Sequence, residues 1–165
     1  MKKLLFIVML VLPLCAAAQK IGVVDSKAIF DVMPEKVLAE KQLNDLLDQY
    51  KAENTRLEKE FNQKYSDFQG LSANTAKTIR ERRMQEIQEN RHKIESYQQM
   101  VQQDMEAKRA EKLDPIKAKL QAAIDAVGAK GDYLLVLDVS STPVAFKSAK
   151  VDDITSLVKK ELGIE

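Results

Sequence analysis

The sequence has very few of the residues from which catalytic and metal sites are usually built. Its 165 residues contain one Cys, one His and no Trp, and the five glycines are scattered. Cys/His zinc sites, disulfide frameworks and glycine-rich phosphate loops are therefore excluded. The 26 Lys and Arg nearly balance the 25 Asp and Glu, so the chain lacks the basic field of a sequence-independent nucleic-acid binder. We predict no enzyme, no cofactor, no metal and no nucleic acid.

The first 18 residues have the pattern of a secretory signal peptide. Lys2 and Lys3 precede an apolar stretch over 4–14, and small residues end at Ala18. Eleven apolar residues are too few to span a bilayer, which needs roughly 20. We expect cleavage after about Ala18 and export, which in a bacterium with two membranes means the periplasm. Cys15 leaves with the signal, and the mature chain then carries 24 basic against 25 acidic residues, a net charge of −1.

Helix breakers are rare in the middle of the chain. Gly70 and Pro115 are the only residues of these two types over 35–127, where strong helix formers predominate. Pro115 lies beyond the point where the shorter helix runs out, so it predicts a kink that turns the longer helix into the base. The segment predicts two helices, over 35–69 and 75–127, joined by a tip turn over 70–75.

Apolar residues recur at steps of three, four or seven along both helices, which is the pattern of two helices that pair along their length. Asn54 and several glutamines interrupt this stripe. A thinly apolar contact buries little area, so we expect a bendable arm. The stripe residues are Leu43, Leu47, Tyr50, Leu57, Phe61, Tyr65 and Phe68 in the first helix, and Ile87, Ile94 and Val101 in the second.

Both chain ends predict short strands. Residues 21–25, 133–139 and 144–146 read as strands, and Asp152 or Asp153 is expected to cap a last helix. The fold class is therefore α+β: a small β-sheet body formed by both chain ends, with a long antiparallel helical hairpin inserted between them. The predicted segments are a signal peptide over 1–18, a body over 19–34 and 128–165, and an arm over 35–127.

The predicted body is too small to bury much apolar surface on its own. Strand 133–139 is apolar on both faces, and association through the sheet would cover it. We therefore predict a homo-oligomer whose bodies merge and whose arms project. The residues assigned to this oligomerisation body are Val23, Val24, Leu135, Val136 and Leu137.

Three segments carry a resemblance to a known family. Residues 21–30 (IGVVDSKAIF), 131–139 (GDYLLVLDV) and 151–155 (VDDIT) resemble the opening strand and the C-terminal signature of the Skp (OmpH-like) periplasmic chaperones. The predicted elements follow that family's order over the entire chain. The resemblance implies a trimer whose helical tentacles surround a cavity that holds unfolded outer-membrane β-barrel proteins without ATP. A net charge of −1 departs from the strongly basic best-known members and weakens any expectation based on global positive charge, such as lipopolysaccharide binding.

Scattered aromatic and methionine side chains on the arm are the candidate client contacts. A client that is apolar at alternate residues and variable in sequence needs adaptable apolar contacts rather than a shaped pocket. For Phe61 and Phe68 we favour the alternative that they pack against the second helix, whereas Tyr65 lies one step off the seam and is the member expected to face the client. Met84 and Met100 lie off the main stripe, where client contact and plain exposure are equal alternatives.

A cluster of positive charges surrounds the hairpin tip. It could attract acidic client segments or anionic lipid headgroups. The alternative, which we favour, is a solvated helix face with i,i+4 ion pairs such as Arg82–Glu86 or Glu89–Lys93. The cluster consists of Lys77, Arg80, Arg82, Arg83, Arg91 and Lys93.

The remaining polar residues give no catalytic pattern. Asp25 and Asp138 each end a strand without a His or Cys partner in sequence, so we interpret them as strand-ending or capping residues. His92 is solitary on a charged stretch. The resemblance therefore implies a holdase chaperone, and the competing hypothesis is a structural coiled-coil protein that spaces or tethers envelope components.

Overall fold

The computed structural model describes residues 20–164. The predicted signal peptide and mature N-terminus lie outside the described residues. A helical hairpin is inserted between strands from the two chain ends, as predicted. The elements are β1 (Lys20–Val24), α1 (Ser26–Phe30), α2 (Pro34–Gln69), α3 (Lys77–Lys130), β2 (Tyr133–Asp138), β3 (Asp152–Asp153) and α4 (Thr155–Leu162).

The sheet has three parallel strands in the order β2-β1-β3. The prediction of a third strand over 144–146 is wrong, because this segment is irregular and exposed and the third strand is β3. Ile154, which follows β3, is fully buried and donates its N–H to the Val23 carbonyl at 2.9 Å. Phe146 is 84% exposed. Burial of Ile154 therefore supplies the stabilisation that 144–146 cannot obtain.

The body core lies on the face of the sheet that α3 and α4 cover. Apolar side chains from β1, α1, the start of α2, the C-terminal part of α3 and α4 form one cluster. The C-terminal part of α3 therefore packs in the body, as expected for the part of the helix beyond the end of α2, although the segment bounds predicted from the sequence counted residues up to 127 as arm. The buried members of the cluster are Val24, Ile29, Met33, Ala39, Ile116, Leu120, Ala123, Val127, Ile154 and Val158.

The two arm helices match the prediction closely in extent. At about 1.5 Å per residue, α2 is about 54 Å long and α3 about 81 Å. The prediction that α3 ends at residue 127 is wrong, because it runs to Lys130, three residues beyond Val127, whose buried side chain packs in the body core. Gly131 is the residue that follows the helix, and its lack of a side chain leaves room for the Tyr133 ring, which would lie 2.3 Å from a Cβ at this position.

Hydrogen bonds between the arm helices define an antiparallel register. Lys112 donates to Gln42 at 2.8 Å near the body. Gln98 donates to Asn54 at 3.3 Å farther out. Toward the tip the packing becomes thin: residues 58–69 of α2 and 77–86 of α3 include no buried side chain.

Candidate functional site

The aromatic residues of the distal arm divide into inward and outward members. Phe61 and Phe68 are half-buried, whereas Tyr65 is 45% exposed. The rings of Phe61 and Tyr65 stack with their centroids 6.1 Å apart. Because the Phe61 ring supports one face of the Tyr65 ring, the exposed tyrosine is held in place by its own helix. The spacing argument therefore placed Tyr65 correctly on the outside, and its contact with a client stays a prediction.

Other large apolar side chains are also exposed along the arm. Met84 and Met100 are exposed. Their exposure fits both alternatives, client contact and plain exposure. The sequence reasoning missed further exposed residues, although an apolar residue off the helix stripe was the available signal. These are Val37 and Leu38 at the arm base and Ile79 near the tip.

The middle of the arm contains a groove that sequence reasoning did not identify. It is open, has a volume of about 440 Å³, and is lined by residues of both helices, among them Leu47 and Val101. The Tyr50 hydroxyl donates to the Asp104 carboxylate, and the Tyr97 hydroxyl donates to the Tyr50 carbonyl at 3.4 Å. The hydrogen bond to Asp104 is the main cause that raises the pKa of Tyr50. The groove thus combines apolar and polar lining without a group poised for catalysis.

The basic cluster at the tip is largely paired within α3. Arg82 lies 3.3 Å from Glu86, as predicted. Glu89 accepts from Gln85 at 2.8 Å instead of pairing with Lys93. The other ion pairs of the cluster are Lys77–Glu81 at 3.6 Å, Arg83–Glu86 at 2.9 Å and Arg91–Glu95 at 3.0 Å.

Arg80 is the cluster residue that binds the tip turn. Its guanidinium donates to the Ser72 carbonyl at 2.6 Å.

The pKa of Glu86 is lowered, chiefly by its hydrogen bond from Arg83. The ion pairs together produce a mixed-charge helix face in which the positive field is partly neutralised.

The residues assigned to the oligomerisation body lie in different environments. Val23 and Val24 are already buried within a single chain, at 2% and 1% exposure. Leu135 is exposed, and Val136 and Leu137 are half-buried. Sequence reasoning did not single out two more exposed apolar side chains of the body: Leu134 in β2, at 65% exposure, and Phe146 after it in the chain, at 84%.

Asp25 and Asp138 are structural, as predicted. The Asp25 carboxylate accepts the Ala28 N–H at 2.8 Å and caps α1. Asp138 accepts hydrogen bonds from the start of α1 and from the turn after β2. Burial alone would raise the pKa of Asp138, but the hydrogen bonds from Ser26 and Ser140 outweigh it and hold this pKa well below its usual range.

No metal or membrane-spanning feature is found in residues 20–164. This part of the chain has no group of three His, Cys, Asp or Glu side chains placed to hold a metal ion. Over the same range, the helices include none whose length and apolar content would let it cross a bilayer.

Residues 20–164 thus form a long helical hairpin on a small parallel sheet, with exposed apolar side chains along both. The family model described as outer membrane protein (OmpH-like) matches residues 20–162. The chain belongs to this OmpH-like family, to which the Skp chaperones are related.

Individual relatives agree with this assignment. The chain is 28% identical over 146 residues to the chaperone protein Skp of Pectobacterium atrosepticum, covering 88% of this chain and 87% of the relative. It is 27% identical over 166 residues to the chaperone protein Skp of Yersinia enterocolitica, covering 98% and 99%. An OmpH-like outer membrane chaperone structure from Caulobacter crescentus CB15 has the same fold, with a TM-score of 0.71 at 18% identity over 87% of this chain and 83% of that one. The protein is a chaperone rather than an enzyme.

Proposed function

We propose that this protein is an ATP-independent periplasmic holdase that binds unfolded outer-membrane β-barrel proteins between its helical arms and prevents their aggregation. The observation that carries the proposal is the display of separate large apolar side chains along the arm, of which Tyr65 and Met100 are examples. A client of this kind exposes apolar side chains at alternate residues of many strands. Separate contacts on a bendable arm can cover such a chain without requiring one sequence.

The proposal includes self-association through the body. Leu134, Leu135 and Phe146 are exposed in the single chain, and β2 forms an edge of the sheet. An exposed apolar edge strand is a surface that a second copy can cover. The family resemblance supplies the number three, and three arms around a shared body would enclose a cavity for the client.

The self-association can be tested by introducing one charged side chain into the exposed edge strand. We expect light scattering with size-exclusion chromatography to give the mass of a trimer for the mature protein. Leu135→Glu should shift the mass toward one subunit, because a carboxylate cannot be buried unpaired in an apolar contact. The exposed Ser156→Glu, on α4, is the matched control. A folded single subunit for the wild type at working concentration would contradict this part of the proposal.

Electrostatic attraction at the tip is the second part that needs a test. Ion pairs within α3 reduce the charge available to acidic client segments or anionic lipid. If electrostatic capture contributes, changing Arg80, Arg82 and Arg83 to Gln should weaken client binding at low salt more than at high salt. If the variant binds the client as tightly as the wild type at both salt concentrations, electrostatic capture is ruled out. Vesicles with and without anionic lipid give the same test for membrane contact.

The decisive assay for the holdase proposal is the suppression of aggregation. An outer-membrane barrel protein unfolded in urea is diluted into buffer with the mature chaperone, and light scattering is followed without ATP. We expect scattering to be suppressed at a stoichiometric ratio. A Tyr65→Ser and Met100→Ser double variant should suppress it less, and the exposed Gln63→Ser and Gln99→Ser pair is the matched control. Unchanged aggregation with the wild type would favour the spacer hypothesis.

A further inference from the structure

One amide in the arm is buried without a hydrogen bond to the protein. Asn90 is 3% exposed, and neither its Nδ2 nor its Oδ1 has a hydrogen-bond partner among the described residues. It occupies a regular contact position on α3, because residues at alternating steps of three and four make up the face toward α2. These residues are Ile87, Asn90, Ile94, Tyr97, Val101 and Asp104.

Other polar side chains at contact positions of the hairpin do have partners. Asp104 accepts the Tyr50 hydroxyl. Asn54 accepts from Gln98 at 3.3 Å and donates to Glu58 at 2.6 Å. Asn90 therefore differs from them, and a buried amide without partners favours any state in which water can reach it.

Asn90 lies between two buried apolar side chains of the arm, Leu57 on α2 toward the body and Ile87 on α3 toward the tip. The register of the cross-helix bonds places it opposite about residues 61–64 of α2. Beyond Leu57 on α2, and between the tip and Ile87 on α3, no side chain is buried. Within residues 58–95, all of which the structure describes, Ile87 is the one buried apolar side chain, so few apolar contacts oppose separation of the helices around Asn90.

We infer that residues 58–95, which we call the distal hairpin, open and close as one unit at a weak layer set by Asn90. The body-side half of the arm stays closed, because hydrogen bonds from Tyr50 to Asp104 and from Lys112 to Gln42 join the helices there. Leu43 is also buried on this side, and Ile116 and Leu120 join the body core. Reversible opening lets the arm end change shape and uncovers Phe61 and Ile94. The use of this motion to fit clients of different size rests on the proposed holdase function, whereas the motion itself does not.

Amide hydrogen exchange of the mature chaperone without client tests the inference. We expect amides of the distal hairpin to exchange at least about tenfold faster than those of α3 at 116–127. Asn90→Leu should slow distal exchange by about tenfold and leave 116–127 unchanged, because it removes an unpartnered polar group. Asn54→Leu has the same change in helix propensity but removes an amide with partners, so it should slow distal exchange less than about threefold.

Two results would overturn the inference. One is distal exchange as slow as that of 116–127 in the wild type. The other is an equal effect of Asn90→Leu and Asn54→Leu. Because Leu is larger than Asn, Asn90→Ala is measured too, with Asn54→Ala as its control; if neither Asn90 variant slows distal exchange, the weak layer is not set by this amide. The experiment contains no client, so its failure is distinct from failure of the holdase proposal.

Discussion

Removing the Asp138 side chain should destabilise the body, because one carboxylate joins three segments there. Its Oδ1 accepts the N–H groups of Ser26 and Ser140 at 3.2 and 3.0 Å and the Ser140 hydroxyl at 2.7 Å. Its Oδ2 accepts the Ser26 and Ser141 hydroxyls at 2.6 and 2.9 Å. A hydrogen bond to a charged group contributes roughly 1.5–3 kcal/mol, but these bonds share one partly exposed group that water can reach. We therefore expect Asp138→Ala to lower the free energy of unfolding by about 3 kcal/mol in total.

Asp138→Asn separates charge from hydrogen bonding. Asn keeps one oxygen for the two N–H groups, and the serine hydroxyls can rotate to accept from its amide. Asp138→Asn should therefore lower the free energy of unfolding less than Asp138→Ala does. Because folding lowers the Asp138 pKa, the carboxylate's contribution is complete at neutral pH and falls below about pH 4, as the pH approaches the folded-state pKa. Asp138→Asn should lack this part of the acid dependence.

The assay is urea unfolding followed by circular dichroism at one fixed protein concentration, since association shifts apparent stability. Ser156→Ala, at an exposed position of α4, controls for surface substitution. If Asp138→Ala unfolds within about 0.5 kcal/mol of the wild type, the hydrogen-bond network does not stabilise the body as we reason.

Two further substitutions test the packing. Tyr50→Phe removes the hydroxyl that donates to Asp104, so it should lower the arm's melting temperature, and an unchanged thermal curve would show that water replaces that bond fully. Gly131→Ala places a Cβ 2.3 Å from the Tyr133 ring, so urea unfolding should show a loss of about 1–3 kcal/mol. A loss no larger than that of Ala129→Gly, at an exposed position in the last turn of α3, would mean that the ring moves aside at little cost.

The helical part of the fold could be predicted closely because it depends on local signals. Strong helix formers, the rarity of Gly and Pro and the apolar steps gave the α2 range to within one residue. The outward position of Tyr65 follows from the same periodicity. These features depend on residues near one another in the chain, which a single sequence displays directly.

The parts that could not be predicted depend on contacts between distant segments. The third strand forms at β3 rather than at 144–146 because Ile154 enters a core made by both chain ends. The end of α3 at Lys130 depends on the sheet that Val127 packs against. The missing partner of Asn90 also depends on the helix opposite it, since an Asn at the same kind of position, Asn54, does find partners.

Site-specific photo-crosslinking tests the central claim most directly, because it asks whether an unfolded client touches the exposed apolar side chains of the arm. A photoreactive phenylalanine analogue is placed at Tyr65 or Met100, with the exposed Ser156 on α4 as the comparison position. We predict that the arm positions crosslink a urea-diluted outer-membrane barrel protein and do not crosslink the same protein once it has folded. Complexes that form without any crosslink from either arm position, or with equal crosslinking from Ser156, would contradict the account.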